Sequence, residues 1–259
     1  MDRFLKDLYS MAGHWTTTAC PVINDEISYK MIERPEYPLC RQLSESAGEL
    51  LADRLFLHST WQPAQRAGAM QFVMVHCGYD TYFIRHSLWY GGVHAFDINP
   101  QYVVKDKSDR LEKAGITKLS KAYAIACDYP GNVASVLEDH PRFDRDKITF
   151  IHLGALPCEL NRESFEQLMT ELFKIIPPAS SVTFSYKNSA YSYSQMEKLL
   201  SRAGFHIYEH QTAADLHRDY IRNFELLNNR SFPLSDDLRY CLAVKKIRVC
   251  DSIALNKRC

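Results

Sequence analysis

The chain has 259 residues, 46% of them hydrophobic, and 31 Lys+Arg against 31 Asp+Glu leave no formal net charge. That length suits a single α/β domain with a large core, and the even balance argues against a nucleic-acid binder, which carries a basic excess. No stretch approaches the roughly 20 apolar residues of a membrane span, and MDRFLKDLYSMAGHW at the N-terminus interleaves charges with its apolar positions, unlike a signal peptide; a soluble cytoplasmic protein with no membrane partner is expected.

Residues 1–69 read as a helical N-terminal cap. ESAGELLADRLFLHSTW (45–61) has apolar residues at helical spacing, and ERPEYP (33–38) breaks the chain before it. A different rhythm begins at residue 70 and runs to 247 as the core. QFVMVH (71–76) is a buried strand, DTYFIRHSLWY (80–90) starts as a short helix, and GGVHAFDIN (91–99) is a second strand. DKSDRLEKAG (106–115) is a charged helix stopped by Gly115, and KAYAIACD (121–128) is a third strand. VASVLEDHP (133–141) is a helix, KITFIHLGAL (147–156) a fourth strand, and NRESFEQLMTELFKII (161–176) an amphipathic helix capped by Asn161 and stopped by Pro177-Pro178. SSVTFSYK (180–187), HIYEHQ (206–211) and LRYCLAVKKI (238–247) are the remaining strands, with a helix at 194–205 between the first two. Residues 248–259 read as a tail. The eight cysteines form no C-x-x-C pair and no Cys/His cluster of zinc spacing, so neither a metal site nor a disulfide framework is expected.

Strands separated by helices imply a doubly wound, mostly parallel seven-stranded sheet with helices on both faces. The last two strands suit a terminal antiparallel pair, and the cap forms a helical extension. Ligands of such folds sit beyond the carboxyl ends of the strands. That rim collects three features: the turn CGYDT around Gly78; Asp97, an acid about 20 residues on, suited to ribose hydroxyls; and Asp128 of CDYP, suited to an adenine amino group. There is no G-x-G-x-x-G and no G-K-[ST], so nothing cradles a diphosphate. An adenosine cofactor without phosphate fits better, and S-adenosylmethionine is the expected one.

Here a resemblance becomes specific. HCGYDTYFIR is similar to the "LGAGLDTRAYRL" turn of the leucine carboxyl methyltransferase family, a class I group of S-adenosylmethionine-dependent O-methyltransferases. FDINPQYVVKDKSDRLEKAG resembles that family's "FEVD" segment, ACDYPGNVASVLEDHPRFDRDKITFIHLGALPCELNRESFEQLMTEL resembles its "DL" and "EG" segments, and RYCLAVKK resembles its close. The likeness runs in order from about residue 28 to 247. It implies a Rossmann-like methyltransferase fold and assigns cofactor-binding positions one at a time. Lys30 in SYKMIERP and Arg54 in ADRLFLH match basic residues near the cofactor's carboxylate. Gly78 matches the second glycine of the turn, Asp97 the ribose acid, and Asp128 with Tyr129 the "DL" pair at the adenine. A carboxylate met by two cations is physically sensible, since it would otherwise be a buried lone charge.

Three positions depart from the family pattern: His76 stands at its first glycine, Leu153 at its glutamate of "EG", and Tyr82 at its arginine after "DT". His76 would lie beside the cofactor's methionine end, although a histidine ending a buried strand is more often a hydrogen-bonded core residue. The expected activity is O-methyl transfer to a carboxylate, which needs no base, or to a hydroxyl, which does. His152 and then Tyr186 are the candidate catalytic bases. A small-molecule substrate is favoured over a protein C-terminus because the chain leaves little room for insertions over the rim. The alternative is a methyltransferase-like fold that has lost catalysis and serves as a binding subunit.

Overall fold

A computed structural model describes residues 1–44, 47–86, 92–117 and 121–246. The tail at 248–259 and part of the segment 80–90 lie outside them. Seven strands form one sheet: β1 (Gln71–Val75), β2 (His94–Asn99), β3 (Ala122–Ala126), β4 (Thr149–Gly154), β5 (Ser181–Lys187), β6 (Phe205–Thr212) and β7 (Leu238–Lys245). Their order is β3-β2-β1-β4-β5-β7-β6, and only β7 runs antiparallel to its neighbours. The order reverses between β1 and β4, which puts the switch point at the turn after β1.

β1 and β4 are buried at every position because helices cover both faces. Alternation divides their side chains. Val73, Val75, Ile151 and Leu153 face a core shared with α7 (Val133–Glu138), α8 (Arg162–Ile175) and α9 (Tyr193–Arg202). Phe72, Met74 and Phe150 face the opposite core, where α4 (Gly48–Arg66) supplies Phe56, Leu57 and Trp61. Asn161 caps α8 as expected, its side chain accepting from Ser164 N at 2.8 Å. Helix α4 runs on past the expected boundary and carries Pro63 within it.

Within the expected cap at 1–69, α4 packs on the sheet, and α1 (Arg3–Thr17), α2 (Glu26–Lys30) and α3 (Tyr37–Leu43) make up the part of the cap that lies over the rim. It builds a third core, in which Phe4, Leu8, Tyr9 and Ala12 meet Met31 and Cys40 together with Tyr79 of the turn after β1 and Val103 of α6 (Gln101–Lys113). The cap is therefore fastened to the strand rim. Gly13 permits the close crossing of α1 and α3, since a Cβ there would fall on the Cys40 carbonyl. Gly13→Ala is expected to destabilise the protein by about 1–3 kcal/mol through this overpacking, read as a lower midpoint in thermal or urea unfolding.

Candidate functional site

The chain leaves β1 through two residues in left-handed conformation, His76 at φ 53° and Gly78 at φ 61°. A side chain in that region costs on the order of 1 kcal/mol, and the fold holds His76 there with three bonds. Its N–H donates to the Ile98 carbonyl at 2.7 Å. Its ring Nε2 lies 2.9 Å from the Cys127 carbonyl, and its own carbonyl accepts from Arg3 at 2.9 Å. Burial lowers the ring's pKa, so the imidazole is neutral and gives one N–H to Cys127. His76 thus ties the end of β1 across β2 to the end of β3.

Gly78 has no room for a side chain: a Cβ would lie 2.5–3.0 Å from three carbons of Phe4. Its N–H donates to Asn99 Oδ1 at 2.7 Å. Asn99 is the acceptor that reaches the turn. Asp97 pairs in register with Met74, two residues below, and both of its oxygens are taken, Oδ1 by Asn99 Nδ2 and Oδ2 by Lys107 Nζ, each at 2.7 Å. Strand alternation puts residues 97 and 99 on one face, so the pair acts together. Beside it a cavity of about 490 Å³ runs along β2 and β3, with Phe83, Val104, Leu111 and Ala124 among its walls.

Asp128 caps α6, accepting from Gln101 N at 2.8 Å, and stays exposed with Tyr129 at the end of β3. Lys30 is not drawn in: it closes α2 and pairs with Glu26 at 2.9 Å on the surface, and no contact joins it to the rim among the described residues. Arg54 is buried on α4 and forms an ion pair with Asp80 of the turn.

The two expected bases lie on opposite faces of the sheet, so they do not form one catalytic pair. Tyr186 is in the core beside α8 and α9, with its hydroxyl 2.9 Å from His210 Nε2. His152 is fully buried on the α4 face, and its Nε2 is 3.1 Å from Asp53 Oδ2. Asp53, Asp80, Asn99 and Lys107 were not singled out from the sequence. Asp53 and His152 are 99 residues apart and carry no local pattern that links them. Among the described residues no group of three or more His, Cys, Asp or Glu is arranged to hold a metal. Likewise, no helix is long and apolar enough to cross a membrane.

The leucine carboxyl methyltransferase family model matches residues 1–173. The chain belongs to this family. S-adenosylmethionine is accordingly the cofactor. The Bacillus subtilis (strain 168) protein named "Putative S-adenosyl-L-methionine-dependent methyltransferase YktD" is 24% identical over 212 residues, covering 69% of this chain and 66% of the relative's length. A crystal structure of "a putative sarcosine dimethylglycine methyltransferase" from Galdieria sulphuraria superposes at TM-score 0.50 with 11% identity, over 80% of this chain and 88% of that one. A methyltransferase structure from Aquifex aeolicus gives TM-score 0.45 and 14% identity, over 68% and 82%.

The residues present fit the cofactor: a backbone turn stripped of side chain at Gly78, a buried cation at Arg54, and a buried, unpartnered carboxylate oxygen on Asp53. The first turn of α1 covers this end of the rim. Asp7 of α1 feels Arg54, Arg3 and Asp53, and burial pushes its carboxyl up to about 6 from an ordinary value near 3.8. A raised carboxyl favours folding fully below its unfolded pKa and loses that contribution as pH rises through the folded one. Asp7→Asn is therefore expected to raise the thermal midpoint at pH 8 and leave it unchanged near pH 4. Equal shifts at both values in scanning calorimetry would show that Asp7 does not sit in this field.

Proposed function

We propose that the protein is an S-adenosylmethionine-dependent O-methyltransferase whose acceptor is a small carboxylic acid. The observation that carries the reading is the left-handed turn at the switch point of a β3-β2-β1-β4-β5-β7-β6 sheet in a chain of this family. When bound, the cofactor supplies a methyl group on a sulfonium centre. Arg54 would hold its carboxylate, the Asp97–Asn99 pair its ribose, and Asp128 with Tyr129 its adenine.

Two features support the acceptor class. His152 points to Asp53 and Tyr186 lies on the far face, so neither expected base is offered to an acceptor hydroxyl. A carboxylate oxygen is already a nucleophile and needs none, which leaves positioning and water exclusion as the chain's contribution. Helix α1 lies across the rim, with Arg3 reaching from the His76 carbonyl to Glu159 beyond β4 and Phe4 on Gly78. A covered rim favours a small molecule over the terminus of a folded protein. A cytoplasmic location without nucleic-acid or membrane partners is part of the same proposal.

Calorimetric titration with S-adenosylhomocysteine is expected to show one site. Arg54→Gln should weaken it about 10- to 100-fold, the loss of a charged hydrogen bond worth about 1.5–3 kcal/mol. Methyl label from the cofactor should enter small carboxylic acids as base-labile esters. Folded protein with no affinity for S-adenosylhomocysteine would sink the proposal, and label found only in base-stable ethers would move the acceptor to a hydroxyl.

A further inference from the structure

Asp53 lies one residue before Arg54 on α4, in the gap between the turn after β1 and the end of β4. Its Oδ2 is 3.5 Å from where a Cβ on Gly154 would stand, and Cys77 Sγ is 3.7 Å from the same point. His152 Nε2 holds Oδ2 at 3.1 Å. Oδ1 is buried and has no hydrogen-bond partner among the described residues, in a residue only 8% exposed. Burial raises the Asp53 carboxyl, but His152, Arg54 and the Ser185 side chain outweigh it and hold it below the ordinary carboxylate value. The chain thus keeps an ionised carboxylate under cover with one oxygen open. Leaving such an acceptor unmatched is costly, and a donor that also carries positive charge matches an ionised carboxylate best.

Leu153 sharpens the point. Where the family carries a glutamate before the glycine at the end of β4, this chain carries a leucine buried in the opposite core. Asp53 brings a carboxylate back to that strand end from a different element.

We propose that Asp53, held by His152, receives the α-ammonium of the cofactor's methionine end, while its neighbour Arg54 receives the carboxylate. An amino acid's two charges are separated by a single carbon, and Asp53 and Arg54 both act electrostatically on Asp7 and Cys77, so their opposite charges border one gap. Asp53 is a binding residue and His152 a positioning residue. This rests on the cofactor's methionine end lying over the glycine turn.

The probes are S-adenosylhomocysteine and its desamino analogue, in which hydrogen replaces the amino group, each titrated by calorimetry into the full chain. Wild type is expected to bind the amino form at least 10-fold tighter. Asp53→Asn, and Asp53→Ser as a second variant without the buried charge, should bind both ligands alike, at the wild-type affinity for the desamino form within about twofold. His152→Phe should lose most of the discrimination, whereas His152→Gln, which keeps an N–H toward Asp53, should retain it. Equal affinity of wild type for the two ligands overturns the proposal. So does undiminished discrimination in either Asp53 variant. Failure of wild type to bind S-adenosylhomocysteine at all would instead remove the cofactor reading beneath it.

Discussion

Lys107 of α6 places one ammonium 2.6 Å from the Asp80 carbonyl, 3.1 Å from the Gly78 carbonyl and 2.7 Å from Asp97 Oδ2, with the residue 8% exposed. The turn after β1 bends back on itself around that charge. Its carbonyls face inward, so the Gly78 N–H is free to meet Asn99 and the Asp80 carboxylate to meet Arg54. Take the ammonium away and Asp97 becomes a lone charge under cover, a loss that costs about 3–5 kcal/mol in buried pairs. The geometry of the candidate site thus depends on a lysine that also lines the cavity beside Asp97 and Asn99.

The cap and the sheet share the turn. Tyr79 is buried in the cap's core, and its hydroxyl reaches Asp106 of α6 at 2.6 Å. Arg110, one turn further along α6, forks onto both oxygens of Glu36 at 2.9 Å. A bidentate pair of this kind fixes orientation as well as proximity. Tyr9 of α1 donates to the same Glu36 carboxylate at 2.6 Å, so α1 is held above the rim through contacts made on α6.

Much of the fold was legible in the sequence because its signals are local. Apolar runs of strand length, Asn161 ahead of an amphipathic helix and glycines at helix ends all act within a few residues. The helices α10 (Ala213–Leu216) and α11 (Arg222–Asn228), between β6 and β7, were not foreseen, being short and without a strong apolar stripe. The site was legible only in outline. Spacing of about 20 residues marks the end of β2 but does not distinguish Asp97 from Asn99, two positions on one face. Gly78 was marked by its turn at the strand rim and Arg54 emerged from the resemblance to the family, while Asp53 became visible only when folding brought α4 against β4. His152 was noticed for its place at a strand end. Its partner, not its position, defines what it does.

The bond from the His76 ring to the Cys127 carbonyl has a consequence for where space can open. A glycine at this place would leave the turn free to adjust, but a ring wedged between two strand ends does not allow it. The sheet side of the rim is thereby preorganised, and a ligand needing space above Gly78 has to find it on the helical side. What yields there is small: one phenyl ring at Phe4 and one partly exposed ion pair between Arg3 and Glu159. The first turn of α1 is therefore the part of the rim that bounds the space above Gly78.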